Sequence, residues 1–265
     1  MLGTLDYWKK MRLQCWGNKI CFNFLFFFIM NLSLKKLILP AYWELNWMII
    51  AIDGPSGSGK STTASGVAKT LGFTYLDTGA MYRALTYGLI RAKINFNDIK
   101  KVCKYLEGIN ITFDSLNRII LNGADVSSEI RKKVVTSKVS KISAIQEVRK
   151  KMVYLQRKIS NNIDCVIEGR DIGTVVFPDA DYKFFLTADK LVRAKRRMIE
   201  FENIGEKIEF NEVLEGIEKR DKQDSSRIHS PLKKAKDAVT IDSSSLTIDK
   251  QIELIVNEVK NNNKQ

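Results

Sequence analysis

Histidine is nearly absent, with His229 the single copy in 265 residues. Ser-His-Asp hydrolysis and histidine-rich metal centres therefore lack their material. Cysteine is scarce too. The four copies, at positions 15, 21, 103 and 165, form no Cys-x-x-Cys pair, which argues against a zinc ribbon or a disulfide framework. Cys103 and Cys165 read as ordinary reduced core residues, in keeping with a cytoplasmic protein. Acidic residues are in deficit, 30 against 43 Lys and Arg, for a net charge of +13. That balance suits an anionic partner, whether nucleic acid, membrane or a phosphorylated small molecule. The basic residues are scattered along the chain, and on charge alone solvated helix faces account for them.

Acid is rarest at the start. Before residue 48 only Asp6 and Glu44 are acidic, while all four tryptophans and five of the thirteen phenylalanines lie there. The run from Ile20 to Met30 is apolar apart from Asn23, and Lys9, Lys10, Arg12 and Lys19 precede it. It has the basic and apolar parts of a signal peptide but no clean small-residue cleavage site. It also falls short of the roughly 20 residues that span a bilayer. A membrane-surface anchor, a targeting peptide and upstream sequence translated from a misassigned start all fit. Met48, immediately before the apolar Ile49-Ile-Ala-Ile52, is the expected functional start, with residues 1–47 an atypical leader.

From Met48 onward strands and helices alternate. Strands are expected at Met48–Asp53, Phe73–Asp77, Ile163–Glu168, Tyr182–Thr187 and Ala238–Asp242. Helices are expected over Gly59–Leu71, Gly79–Lys93, Lys138–Ser160, Lys190 to about Asn203, about Asn211 to Lys222, and from near Thr247. Such alternation implies an α/β protein, a parallel sheet with helices on both faces. Residues 109–126 break the pattern: Ile111–Phe113 and Arg118–Leu121, with turns at 114–117 and 122–123, read as a small antiparallel insert.

Between the first strand and the first helix stands Gly54-Pro55-Ser56-Gly57-Ser58-Gly59-Lys60-Ser61, followed by Thr62. This is the G-x-x-x-x-G-K-[ST] phosphate loop in the context that the motif requires. Its glycines let backbone N–H groups turn inward around phosphate oxygens, and the helix N-terminus adds positive potential. Lys60 would reach the outer phosphates of ATP or GTP, and the Ser61 hydroxyl would help to hold Mg²⁺. The loop serves kinases, ATPases, GTPases and nucleic-acid motors alike, so it does not by itself choose among them.

Other stretches bear on that choice. Asp77-Thr-Gly-Ala-Met-Tyr-Arg83 sets a hydroxyl at a helix start with an arginine one turn on, which suits a phosphate monoester, although Thr78 taken alone reads better as a plain N-cap. Arg170 and Asp171 follow the end of a strand, where open α/β sheets bind ligands, and a structural ion pair is the alternative. Arg193-Ala-Lys-Arg196-Arg197 and Lys219-Arg220-Asp221-Lys-Gln-Asp224-Ser-Ser-Arg227 fit either solvated faces or a cationic segment that closes over a reacting phosphoryl group.

Taken in order, these motifs, with Asp125-Val-Ser-Ser-Glu-Ile-Arg131 and Glu168-Gly-Arg-Asp-Ile-Gly-Thr-Val-Val-Phe-Pro-Asp179, resemble the bacterial cytidylate kinase family over residues 48–260. The resemblance implies a P-loop NTPase fold with a central parallel sheet flanked by helices, a small antiparallel insert at about 105–135 in the region that binds the nucleoside monophosphate, an Arg-rich lid at about 190–228, and a polar tail at 261–265. It implies transfer of the ATP γ-phosphate to CMP or dCMP with Mg²⁺, in a cytoplasmic monomer that engages neither nucleic acid nor membrane. By the same resemblance Ser140, Arg149 and Asp171 read the cytosine, and Arg83, Arg170 and Arg227 grip the acceptor phosphate. Thr78 adds its hydroxyl there, where the family commonly has serine. Arg220 and Asp224 contact the sugar, and Arg193, Arg196 and Arg197 belong to the lid that closes on ATP. Glu168 replaces a residue that is often Asp.

Overall fold

The computed structural model describes residues 47–203 and 205–262; all of the 1–47 leader but its last residue, and the end of the polar tail, lie outside the described residues. Apolar residues come in short runs at the expected places, and they form strands β1 (Ile49–Asp53), β2 (Thr74–Asp77), β6 (Cys165–Gly169), β7 (Tyr182–Thr187) and β8 (Val239–Asp242). These make one sheet in the order β2-β6-β1-β7-β8, with every adjacent pair parallel. Strand β1 is central and buried on both faces, so successive side chains feed two separate cores. Ala51 packs with Leu76 and Ile167 against helices α2 (Thr78–Arg91) and α6 (Gln146–Ile159). Ile50 and Ile52 pack with Val166 and Leu186 against α1 (Lys60–Leu71) and α9 (Ile248–Asn262). A third, small cluster of Ala194, Phe201, Val213 and Ile217 joins α7 (Lys190–Asn203) to α8 (Phe210–Ser226).

The insert is a three-stranded antiparallel sheet of β3 (Ile111–Phe113), β4 (Ile119–Leu121) and β5 (Ala124–Asp125). Positive φ angles at Asn117, Asn122 and Gly123 make its turns. It is preceded by α3 (Ile99–Glu107), which lies outside the expected helices, and followed by the short α4 (Lys133–Thr136) and α5 (Val139–Ser143). The helix expected over Lys138–Ser160 is therefore two, since Ile145 is extended at ψ 125° and starts a new helix. One spacing of apolar residues runs through both pieces, so periodicity cannot register the break. A second departure follows β6, where Ile172–Val176 forms a single π-helical turn. At α2 the N-cap is Asp77, whose carboxylate accepts from Ala80 N at 2.7 Å. Thr78 is freed from capping, and its Oγ1 donates to the Glu168 carbonyl at 2.6 Å.

Parallel strands end at one edge, and the chain leaves β1 there through Gly54 at φ +153°. A Cβ on Gly54 would lie 2.0 Å from the Leu186 carbonyl oxygen, which is backbone and cannot swing aside. Gly54→Ala should therefore lower the unfolding free energy by about 2–4 kcal/mol. Urea denaturation checks this, and a loss under about 0.5 kcal/mol would show that β7 yields freely.

Candidate active site

The chain crosses from β1 into α1 through the phosphate loop, where positive φ at Gly57 and Gly59 turns the backbone. Lys60, the first residue of α1, folds back over the loop, its Nζ donating to the Pro55 carbonyl at 2.6 Å and to Ser58 Oγ at 3.3 Å. Burial, together with the nearby Arg170, lowers the pKa of this amine to about 7. Beneath it Asp53 accepts from Ile172 N at 2.9 Å and Gly173 N at 2.8 Å, and burial lifts its carboxyl to about 6.

Lys60 looks into a cleft of about 550 Å³ whose far wall is made of arginine. Five guanidiniums converge there and share three carboxylates. Arg83 pairs with Asp77 at 2.9 Å, Arg149 with Asp171, and Arg170 with Asp224 at 3.2 Å. Arg220 approaches Asp224 at 3.8 Å, and Arg227 lies between Asp171 at 3.7 Å and Asp224 at 3.8 Å. The excess positive charge is visible in the titration of these groups. Burial, with repulsion from Arg170, lowers Arg220 to about 10. Burial would raise Asp224, but Arg170, Arg220 and Arg227 outweigh it and hold the carboxyl below its ordinary value. Arg83 Nε, Arg149 Nε, Arg220 Nε and Arg227 Nη2 are buried with no hydrogen-bond partner. Buried guanidinium donors left unsatisfied are costly, and an anion in the cleft would satisfy them.

All nine residues expected at the acceptor (Thr78, Arg83, Ser140, Arg149, Arg170, Asp171, Arg220, Asp224 and Arg227) line this one cleft. They come from α2, α5, α6, the turn after β6, and α8 with its C-cap. From the loop, Ser56, Gly57, Gly59, Lys60, Ser61 and Thr62 line it as well. Gly54, Pro55 and Ser58 are not on its wall; they shape the loop from behind, Ser58 Oγ donating to the Pro55 carbonyl at 3.1 Å.

Among the three expected lid arginines, the structure brings only Arg197 to the cleft. Its guanidinium stacks on Phe201, 4.5 Å from the ring centroid, and pairs with Glu200 at 2.5 Å. Arg193 is buried and turned onto the loop, donating to the Ser56 carbonyl at 3.1 Å, the Ala188 carbonyl at 3.0 Å and Asp221 at 2.6 Å. Arg196 donates to Ser243 Oγ at 3.0 Å and to its carbonyl at 2.6 Å, while Ser243 Oγ donates to the Ser58 carbonyl at 2.9 Å. Both arginines thus brace the loop in this arrangement. The basic cluster read as one unit in the sequence, but on a helix successive side chains diverge by about 100°.

Several groups escaped the sequence reading. Tyr82 is buried against the cleft with the Arg149 guanidinium 5.1 Å above its ring. Tyr75 Oη donates to Glu168 Oε1 at 2.9 Å, and burial together with the Asp77 charge raises the Glu168 carboxyl above its ordinary value. Tyr82 lies within a motif already singled out, whereas Asp53 and Tyr75 are ordinary strand residues until the chain is folded.

A phosphate loop that faces a wall of unsaturated arginines across one cleft defines a phosphotransferase of the P-loop class, with an anionic acceptor opposite the nucleotide. Comparison with known proteins narrows the class. The family model described as Cytidylate kinase matches residues 50–261. A cytidylate kinase of Caldanaerobacter subterraneus subsp. tengcongensis is 48% identical over 81% of this chain and 96% of its own length. One from Fusobacterium nucleatum subsp. nucleatum is 48% identical over 80% of this chain and 97% of its own. The chain belongs to the cytidylate kinase family. Among solved structures, a shikimate kinase from Bacteroides thetaiotaomicron covers 82% of this chain and 99% of its own at 13% identity and a TM-score of 0.42, too distant to bear on what this chain does.

Asp224 carries a test of the arginine wall. With Asp224→Asn, Arg170, Arg220 and Arg227 lose their shared counter-charge, and the unfolding free energy should fall by about 3–5 kcal/mol. Inorganic phosphate should restore more stability to the variant than it adds to the unaltered chain, as melting with and without phosphate would show. Equal gains would mean that the arginines do not await an anion.

Proposed function

We propose that this protein transfers the γ-phosphate of ATP to CMP or dCMP and releases ADP with CDP or dCDP. The observation that carries the reading is the shared cleft, where a nucleotide-binding loop and buried, unsatisfied guanidiniums face one another. In this assignment the loop holds the ATP phosphates, and Thr78, Arg83, Arg170 and Arg227 hold the acceptor phosphate. Ser140, Arg149 and Asp171 meet the cytosine, with the Asp171 carboxylate accepting from its 4-amino group, and Arg220 and Asp224 reach the sugar.

An oxygen of the acceptor phosphate attacks the γ-phosphorus in line as the bond to the β,γ-bridging oxygen breaks, and ADP leaves. Catalysis is then positioning and positive charge, with no covalent enzyme intermediate and no protein general base. Lys60 and Arg197 take up the charge that develops. Arg193 and Arg196 act through the loop that they brace. The insert at about 105–135 closes on the monophosphate and the segment at about 190–228 on ATP, which keeps water from the phosphoryl group.

Magnesium fits the donor set. Ser61 and the Glu168 carboxylate offer hard oxygen atoms on one wall, and among the described residues no group of three or more His, Cys, Asp or Glu could hold a metal by itself. That matches a cation which keeps several waters and binds largely through phosphate. Ser61 would hold the ion when it is bound, and its charge would offset that of the ATP phosphates. We assign the protein to the cytoplasm as a monomer; among the described residues no helix is long and apolar enough to cross a membrane.

ADP release by the full chain with Mg-ATP and each of CMP, dCMP, UMP, AMP and GMP tests the reaction. Strong turnover with CMP or dCMP and little with purines is expected; release that ignores the monophosphate would overturn it. In the same assay Asp171→Ala should reduce kcat/KM for CMP by 100-fold or more, on the order of 3 kcal/mol, while ATP affinity changes little. Equal losses at both would contradict its role.

Lys60 supplies a pH test. Its pKa of about 7 leaves the amine largely neutral at pH 8, and a bound triphosphate would raise that pKa again. ATP binding should therefore take up close to one proton at pH 8, read as a binding enthalpy that differs between buffers of unlike ionisation enthalpy. Lys60→Met should abolish that uptake, and unchanged uptake in the variant would remove the assignment.

A further inference from the structure

Asp53 touches neither wall of the cleft, yet it lies at the joint between them. Strands β1 and β6 run parallel with Asp53 opposite Gly169, the last residue of each. Beyond that register the two chains part. One becomes the phosphate loop at Gly54, and the other becomes Arg170, Asp171 and the π-helical turn Ile172–Val176. No strand pairing can hold the two exits together past this point, and the Asp53 side chain takes over. Its two oxygens are used separately, Oδ1 accepting from Ile172 N at 2.9 Å and Oδ2 from Gly173 N at 2.8 Å. Those N–H groups open the turn, where no intrahelical acceptor exists. The far end of the turn is fixed as well, Arg157 donating from Nε to the Val176 carbonyl at 2.8 Å and from Nη2 to the Val175 carbonyl at 3.0 Å.

We infer that Asp53 is a positioning residue for phosphoryl transfer, tying the start of the phosphate loop to the turn that carries Arg170 and Asp171 and so fixing the donor loop relative to the acceptor-binding groups. This rests on the donor and acceptor reading of the two walls. The chemistry at 53 favours an acid. Two converging N–H groups need two acceptor oxygens, and Asn supplies one oxygen and sets an NH₂ against the other N–H. A carboxylate buried for scaffolding alone is a poor choice, since a 4%-exposed acid is costly to keep ionised. What it provides is a rigid link between the start of the phosphate loop and the turn that carries Arg170 and Asp171. Reaction rate is sensitive to that alignment, whereas each substrate still finds its own wall intact.

Steady-state kinetics on the full chain tests the inference. Asp53→Asn should lower kcat by about 10- to 100-fold while KM for ATP and KM for CMP each change by less than about threefold. Unchanged kcat, or a KM that rises in step with the loss, would overturn it. Should Asp53→Asn fail to fold, Asp53→Glu, which keeps both acceptor oxygens but sets them one methylene further from the strand, decides by the same criteria. Absence of CMP-dependent turnover in the unaltered chain would instead refute the kinase reading, so the two failures are distinguishable.

Discussion

Five arginines cannot be packed side by side in a protein interior without a counterweight, and the arginine wall of the cleft exists because Asp77, Asp171 and Asp224 supply it. Three carboxylates against five guanidiniums leave the wall positive, which is what a phosphate ester requires, and still allow the chain to fold. Sharing matters as much as number. Asp224 approaches Arg170, Arg220 and Arg227, so none of the three is fully neutralised and each keeps donors to offer. The same economy explains why neighbouring elements end where they do. The turn after β6, the capped start of α2 and the last turn of α8 each contribute one acid together with one or more arginines.

The parallel sheet makes that convergence possible. Strands β2, β6 and β1 are adjacent and point the same way, so their C-terminal ends deliver Asp77, Arg170 with Asp171, and the phosphate loop to a single edge. Residues on either side of the long excursion through α2–α6 and the insert thereby become neighbours, in keeping with the general placement of ligands at the carboxyl ends of such strands. The cost falls on the loop itself, which needs a glycine at 54 because the Leu186 carbonyl closes the space that any side chain would enter.

Legibility in the sequence followed the range of the interaction. The phosphate loop and its flanking strand and helix were readable because their chemistry lies within about a dozen residues. The gathering of nine expected residues in one cleft was readable only through resemblance to a family, since no local rule would have joined Ser140 to Arg227. The split between α5 and α6 was invisible, since apolar spacing continues across Ile145 while its backbone turns extended. The orientation of Arg193 and Arg196 was hidden for a related reason. A run of basic residues reports a helix with positive charge and not which of its members faces the ligand. Here Ser56, Asp221 and Ser243, each remote in sequence from the arginine that it binds, draw both of them onto the back of the loop.

In this structure α7 is bonded to Ser56 and, through Ser243, to Ser58, which ties the α7–α8 segment to the back of the phosphate loop. Arg197 is the member left on the cleft side, held by Phe201 and Glu200. Its contact with Glu200 is partly exposed and therefore weak in water, so a triphosphate with greater charge can displace it at little expense. Positive charge is stored beside the site in a form that binding of the nucleotide can release.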